Sequence, residues 1–234
     1  MNAEFNALAP LATRRAAVYE VLAALYLQPP SPALVAGLLE LAGSAATGDL
    51  STGSAGELLR RYAASYDGKL EVLQQEFNDL FAVPLGRYVT PYEAVYRDER
   101  VVGEDRVRGL LMGPSTLAVL QAYRENQFAV NPECPELPDH IGVELSFMSL
   151  LCGREPHLRE AGDMPAVHLL WTRELRFLED HLLRWVPDFA QRISENARTL
   201  FFQGIGQITE EFVRTDAGVL SEVLSSAGAP LSMS

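Results

Sequence analysis

The stretch DMPAVHLLWTRELRFLEDHLLRW, Asp163 to Trp185, decides the fold class. Val167, Trp171, Leu175, Leu178, Leu182 and Trp185 recur at helical spacing and form one continuous apolar stripe with polar residues between them. Such a segment buries one face against other helices and leaves the other in water. Pro187-Asp188 is expected to break it and to begin another helix, and Gly204-Ile205-Gly206 to precede the last one.

The same period runs through the rest of the chain. Residues 11–28 carry Leu11, Val18, Leu22, Leu25 and Tyr26, and Pro29-Pro30 ends that helix. Ser31-Pro32 restarts one, with serine as N-cap and proline in the first turn. Residues 43–56 are rich in Gly, Ser, Ala and Thr and read as a flexible connection. A helix is predicted over 70–81, with Leu70, Leu73, Phe77, Leu80 and Phe81 on one stripe, then a long loop over 82–113. Helices resume over 114–126 and, after Pro132, Pro135 and Pro138, over 139–152. No segment alternates with period two for long enough to argue a sheet, and no internal repeat is visible. The expectation is an all-α, single-domain helical bundle over 1–234, with about eight to ten helices.

Composition narrows the function. The chain has 234 residues, 48% of them hydrophobic, so a buried core is within reach. It carries 31 acids against 19 bases, a formal charge of -12, which repels phosphates and disfavours nucleic acid and anionic membranes. No run of eighteen apolar residues suggests membrane insertion. Two cysteines, Cys134 and Cys152, without a C-x-x-C spacing fit a reduced, cytoplasmic protein. Thr13-Arg14-Arg15 superficially resembles a twin-arginine export signal, but Tyr19-Glu20 interrupts the apolar run and Gln28-Pro29-Pro30 follows where a cleavage site would be, so it reads as part of the first helix.

Enzyme chemistry finds no foothold. There is no P-loop, Gly204-x-Gly206 lacks a third glycine and a preceding strand, and no Glu-x-x-His occurs. His168 and His181, thirteen apart, point about 140° apart around a helix. His140 and Glu144 at i, i+4 could share a metal, which leaves a helical metal- or small-molecule-binding protein or enzyme as the alternative. A regulatory adaptor is a third possibility.

Three segments carry a resemblance. Glu76-Phe77-Asn78-Asp79-Leu80-Phe81 followed by Pro84, Pro91-Tyr92-Glu93-Ala94-Val95-Tyr96, and Glu136-Leu137-Pro138-Asp139-His140 resemble the TorD/DmsD/NarJ family of redox-enzyme maturation chaperones. The opening Arg15, Tyr19, Leu22, Leu25-Tyr26 and Pro29-Pro30, and the late His181-x-x-x-Trp185-x-Pro187, also fit, so the similarity spans residues 11–225. Ala94, where many members have serine, and the position of Pro138 depart from the pattern and leave the subfamily open.

The resemblance implies a cytoplasmic chaperone without a cofactor. It would bind the twin-arginine leader or the body of an apo-molybdoenzyme of the dimethyl-sulfoxide-reductase type and hold it until its molybdopterin is inserted. Phe77, Leu80, Phe81, Asp139 and His140 would contribute to the leader-binding surface, with Tyr92, Tyr96, Glu136 and Glu144 completing the candidate set. The charge pattern is compatible. No base lies between Arg124 and Arg154, whereas Glu125, Glu133, Glu136, Asp139 and Glu144 do; Glu71, Glu76 and Asp79 precede Gly86 without one. Carboxylates take arginines as bidentate pairs, and an apolar groove takes a helix. Spacing alone also fits other roles: Phe77, Leu80 and Phe81 as core, Asp139 as an N-cap, Tyr92 and Tyr96 as anchors of the loop. The charge-dense residues 97–108 have little to bury and are expected to be mobile.

Overall fold

The computed structural model describes residues 9–43, 54–66, 68–102 and 105–227. Helix α1 spans Ala9–Leu27, α2 Pro32–Gly43, α3 Ser54–Ser65 and α4 Leu70–Phe77, the last prolonged by a π turn, Asn78–Ala82. A five-residue helix α5, Glu93–Arg97, leads into a hairpin of β1, Glu99–Val102, and β2, Asp105–Arg108. Then come α6, Pro114–Glu125, α7, Ile141–Glu160, and α8, Met164–Phe177, with a π turn at Leu178–Leu182. Helices α9, Leu183–Asn196, and α10, Leu200–Ala227, close the described chain. The chain is all-α apart from that hairpin, and no helix among the described residues is long and apolar enough to cross a membrane.

The core is built around α1, which lies along α7, and α10, which lies on α9 and α3. Tyr19, Leu22, Leu25 and Tyr26 of α1 are buried at helical spacing, together with Phe147, Trp185, Phe189, Phe201 and Phe202. Leu11, predicted on the same stripe, is instead 37% exposed, and its neighbour Ala12 is the residue buried at this end of α1. Close approach needs glycine at two places. A Cβ at Gly142 would lie 2.5 Å from Leu27 Cγ, and one at Gly204 would lie 2.7 Å from Leu59 Cδ2. Gly204 therefore seats α3 on α10; it does not precede the last helix, which runs through Gly204 and Gly206.

Other boundaries also differ from the reading of the sequence. The Asp163–Trp185 stripe continues past Pro187 to Asn196. A proline ring collides with the carbonyl four residues back, here Leu183, but after the π turn Leu183 has ψ −15° and its carbonyl is turned away from a regular helical direction. The helix predicted over 139–152 begins at Ile141 and passes Pro156 to Glu160. Within the loop predicted over 82–113 lie α5 and the hairpin, whose register pairs Glu99 with Arg108 and Val102 with Asp105. Its four-residue strands are too short to show a period. A backbone ladder thus gives regular structure to Glu99–Val102 and Asp105–Arg108, where a loop was expected. The connection expected over 43–56 lies outside the described residues at 44–53, while Ser54–Gly56 open α3, where the Ser54 hydroxyl donates to Glu211 at 2.8 Å.

Thr13-Arg14-Arg15 is part of α1, and Arg15 is an internal ion-pair residue. Its guanidinium donates from Nε to Asp216 Oδ1 and from NH2 to Glu174 Oε2, each at 2.5 Å, with Asp216 Oδ2 at 3.0 Å. Tyr19 donates to Asp216 at 2.6 Å, and Glu155, 3.9 Å from Arg15, accepts from Arg159 at 2.6 Å and from the Trp171 indole at 2.8 Å. Carboxylates thus outnumber guanidiniums. Glu174, fully buried and with Oε1 unpartnered, absorbs the imbalance: burial, partly countered by Arg15, raises its pKa to about 7.

That shift has a sign. A carboxyl whose folded pKa exceeds its unfolded value stabilises the fold fully below the unfolded pKa, and the contribution is lost as pH rises through the folded one, on the order of 3 kcal/mol between pH 4.5 and 7. Glu174→Gln keeps an acceptor for Arg15 and removes the titration. Urea unfolding from pH 4.5 to 7.5 should show a shallower fall in stability for the variant than for the parent chain; equal slopes would place the proton elsewhere.

Candidate functional site

Two of the segments singled out in the sequence meet in space. Tyr92 and His140 form an isolated antiparallel bridge, in which Glu93 N–H donates to the Asp139 carbonyl at 3.0 Å and Ile141 N–H to the Pro91 carbonyl at 2.9 Å. Helix α5 has no side-chain cap of its own. Asp139 supplies it: Oδ2 accepts from Ala94 N–H at 3.0 Å. Asp139 is therefore a cap for a helix some forty-five residues earlier in the chain, not for the helix that follows it. That one is capped by His140, whose Nδ1 accepts from Gly142 N–H at 3.0 Å. The hydrogen bond assigns the proton to Nε2, and burial lowers the imidazole pKa to about 3, so His140 is neutral near pH 7.

Beneath α5 lies a cluster of fully buried carboxyls, Glu93, Asp139 and Glu144. Glu93 accepts from Arg97 and meets His181 Nδ1 at 2.9 Å; Glu144 accepts from the Trp185 indole at 3.2 Å. Burial raises the pKa values of both Asp139 and Glu144; hydrogen bonds from Ala94 and Thr116 counter it at Asp139, while the charges of Glu93 and Asp139 add to it at Glu144. Glu93 and Glu144 meet carboxyl to carboxyl, a contact that needs a proton between them. Asp139 has the Thr116 hydroxyl beside it but its Oδ1 makes no well-formed hydrogen bond, and Glu144 Oε1 has none besides the Glu93 carboxyl. Burial thus favours the protonated forms of Asp139 and Glu144.

The aromatic residues anchor this corner. Tyr92 donates to Glu136 and sets its ring edge-on to His140 at 5.2 Å. Tyr96 donates to the Thr90 carbonyl at 2.9 Å, lies 5.3 Å from the Trp185 ring and 6.1 Å from Phe189, and carries the Arg192 guanidinium over its face at 5.1 Å. Of the candidate residues, only Tyr92, Tyr96 and Glu136 keep partial exposure. Phe77, Leu80 and Phe81 are buried; Phe81 packs on Tyr26, Phe189 and Phe202. They line no surface in this conformation, because the stripe that reads equally as core or groove faces inward. Asp139, His140 and Glu144 are interior as well.

The acidic stretch before Gly86 is largely engaged within the fold. Glu76 accepts from the backbone of Arg198 and Thr199 at the start of α10, and Arg87 pairs with Glu76 at 3.4 Å and Asp79 at 2.6 Å. Glu93 and His181 joined no expected site; both lay in quoted motifs, but their pairing spans eighty-eight residues and leaves no local signal. No group of three or more potential ligands among the described residues is placed to hold a metal ion. His140 Nδ1 and the Glu144 carboxyl are each engaged with another partner, Gly142 and Trp185. Clefts flank the corner on both sides. One, of about 480 Å³, is bordered by Arg97, Gln121, Phe177, Asp180 and His181; the other, of about 430 Å³, by Leu120, Tyr123, Phe128, Val130, Glu136 and Pro138.

Comparison with known proteins adds an independent line. The chaperone protein TorD of Shewanella pealeana is 26% identical over 159 residues, 68% of this chain and 65% of its own length. TorD of Vibrio cholerae serotype O1 is 24% identical over 168 residues, 72% of this chain and 70% of its own. TorD of Vibrio vulnificus is 25% identical over 164 residues, 70% of this chain and 71% of its own. The chain thus spans about two thirds of the length of the relatives it matches. The family model described as nitrate reductase delta subunit matches residues 48–191, a range that holds α5, the Asp139 cap and the π turn carrying His181. With more than half of its length matched, the chain belongs to this TorD/NarJ family.

Proposed function

We propose that this chain is a cytoplasmic maturation chaperone that binds the twin-arginine leader of an apo-molybdoenzyme and holds the enzyme until its cofactor is inserted, without catalytic chemistry of its own. The observation that carries this reading is the convergence of Pro91–Tyr96 and Glu136–His140 on one corner, stitched by backbone hydrogen bonds and flanked by an apolar groove. Membership of the family and the names of its relatives support it.

The chemistry matches such a ligand. A leader brings two arginines followed by an apolar run able to form a helix. The half-exposed Glu136 borders a groove lined by Leu120, Phe128 and Val130, with Arg124 the one base among the described residues on its wall. A guanidinium fork meets carboxylate geometry there, and the overall charge of -12 draws a basic segment inward.

Calorimetry with a peptide copying the client's leader tests this. Binding is expected, weaker at higher salt, and weaker by about tenfold when both arginines become lysine, which lacks the fork. Indifference to both changes would remove the electrostatic part of the argument; no binding at all would remove the function.

Variants of the corner separate contact from support. Glu136→Gln should weaken the peptide severalfold without altering stability. Asp139→Asn keeps an acceptor for Ala94 N–H and should leave the fold unchanged, whereas Asp139→Ala uncaps α5 and should cost about 1–2 kcal/mol in urea unfolding. Equal stability of the alanine and asparagine variants would show that the cap does not hold α5.

A further inference from the structure

The residues matched to the family's motifs are mostly interior, and what covers them is α5. Ala94 is fully buried, and the Tyr96 ring lies on Trp185 and Phe189. Phe189 in turn packs on Phe81 and Tyr26. One short helix thus roofs the outer end of the aromatic cluster.

Its attachment is unlike that of the rest of the core. Five residues are too few for a self-sustaining helix. Hydrogen bonds hold it more than apolar burial does: Ala94 N–H to Asp139, Glu93 to His181, and Arg97 to the Asp180 carbonyl at 2.6 Å. Under it, Asp139 Oδ1 makes no well-formed hydrogen bond and Glu144 meets another carboxyl, Glu93, in place of a donor. Buried polar atoms without partners are costly, so this interface opens at lower cost than an apolar one of the same size. Gly86 at φ +61° and Gly109 at φ +80° lie on either side of the segment, where glycine alone turns freely.

The occupant also describes its replacement. Glu93-Ala94-Val95-Tyr96-Arg97 is one helical turn with a small buried residue, an aromatic ring and an arginine. When it leaves, Glu93 and the Ala94 N–H leave with it, and Asp139 and Glu144 keep the Thr116 hydroxyl and the Trp185 indole beside them. An incoming guanidinium would replace the Ala94 N–H on Asp139 and the Glu93 carboxyl on Glu144, and an apolar helical segment would take the place of Ala94 and Tyr96 over Trp185 and Phe189. Resting on the function proposed above, we infer that α5 is a displaceable internal mimic of the client, and that an arginine-bearing helical segment of the leader binds by taking its place.

A cross-link tests this directly. Tyr92 and His140 are directly opposite in a non-hydrogen-bonded antiparallel pair, the geometry that brings Cα atoms to about 4.5 Å and admits a disulfide. Tyr92→Cys with His140→Cys, oxidised, pins the start of α5. The leader peptide should bind the oxidised form at least about tenfold more weakly than the same protein reduced. Hydrogen exchange on the parent chain gives a second measure: amides of Ala94 and Asp98 should lose protection when saturating leader is added. Equal affinity in both redox forms, or unchanged or increased protection at Ala94 and Asp98 on binding, overturns displacement while leaving leader binding intact. Where the reduced variant has itself lost affinity, exchange on the parent chain decides. Absence of binding to the parent chain overturns the function reading itself.

Discussion

The grip of Arg15 on Asp216 and Glu174 fixes where the long helices stand. One guanidinium on α1 reaches α8 through Glu174 and α10 through Asp216, and the neighbouring Glu155 adds α7 through Trp171 and Arg159. Van der Waals packing alone would let such helices slide by a turn and repack, because leucine and phenylalanine stripes are forgiving of register. Charges in a dry interior are not. A guanidinium moved away from its carboxylates would leave ions buried and uncompensated, a loss of about 3–5 kcal/mol. The network therefore selects one register among several that apolar burial would permit.

A second buried acid cluster is built in the opposite way. Around Glu93, Asp139 and Glu144 the available cations are Arg97 and, when protonated, His181, and Arg97 belongs to the same short helix as Glu93. What balances the charge is a helix N-terminus on Asp139, an indole N–H on Glu144 and a shared proton. In the first cluster an arginine locks four long helices. In the second, the stabilising donors sit partly on the element being held. Removing α5 removes a carboxyl along with its donors, and what remains is a pair of acids beneath aromatic rings. The difference between the clusters is where rigidity ends and exchange of partners becomes possible.

The same physics explains what could be read from the sequence. The spacing of Leu70, Leu73, Phe77, Leu80 and Phe81, and the Asp163–Trp185 stripe, located helices because each i, i+3, i+4 neighbour is local. The helix predicted over 114–126 ends within one residue of α6. Pro187 misled because its usual effect is cancelled by a π turn just before it, and Gly204 because its role is contact with α3. The caps were beyond local reach. Asp139 caps α5, Asp98 caps α6 through Ser115 at 2.9 Å, and Glu76 accepts from residues at the start of α10; each donor and acceptor lie far apart in the chain. An N-cap rule applied within four residues finds none of them. The candidate site was legible as motifs, but whether each motif residue faces outward depends on these distant bonds.

Under the proposed function, buried Phe77, Leu80 and Phe81 would act on recognition from the interior. Phe81 touches Tyr26, Phe189 and Phe202, and Phe189 touches Tyr96 and Trp185, so the position of the Tyr96 ring is set through a continuous aromatic stack that begins in α4. Ring-to-ring contacts constrain orientation as well as distance, since edge-on and offset arrangements are favoured over face-to-face ones. A smaller residue at Phe81 would leave a void beside Phe189 and let the ring under Tyr96 tilt, altering the floor on which any helical segment must lie. Asp139 and Glu144 act through charge at the same floor. If the proposed function holds, the recognition site would have most of its determinants inside the protein, an aromatic base with two buried acids, and only Tyr92, Tyr96 and Glu136 at its edge.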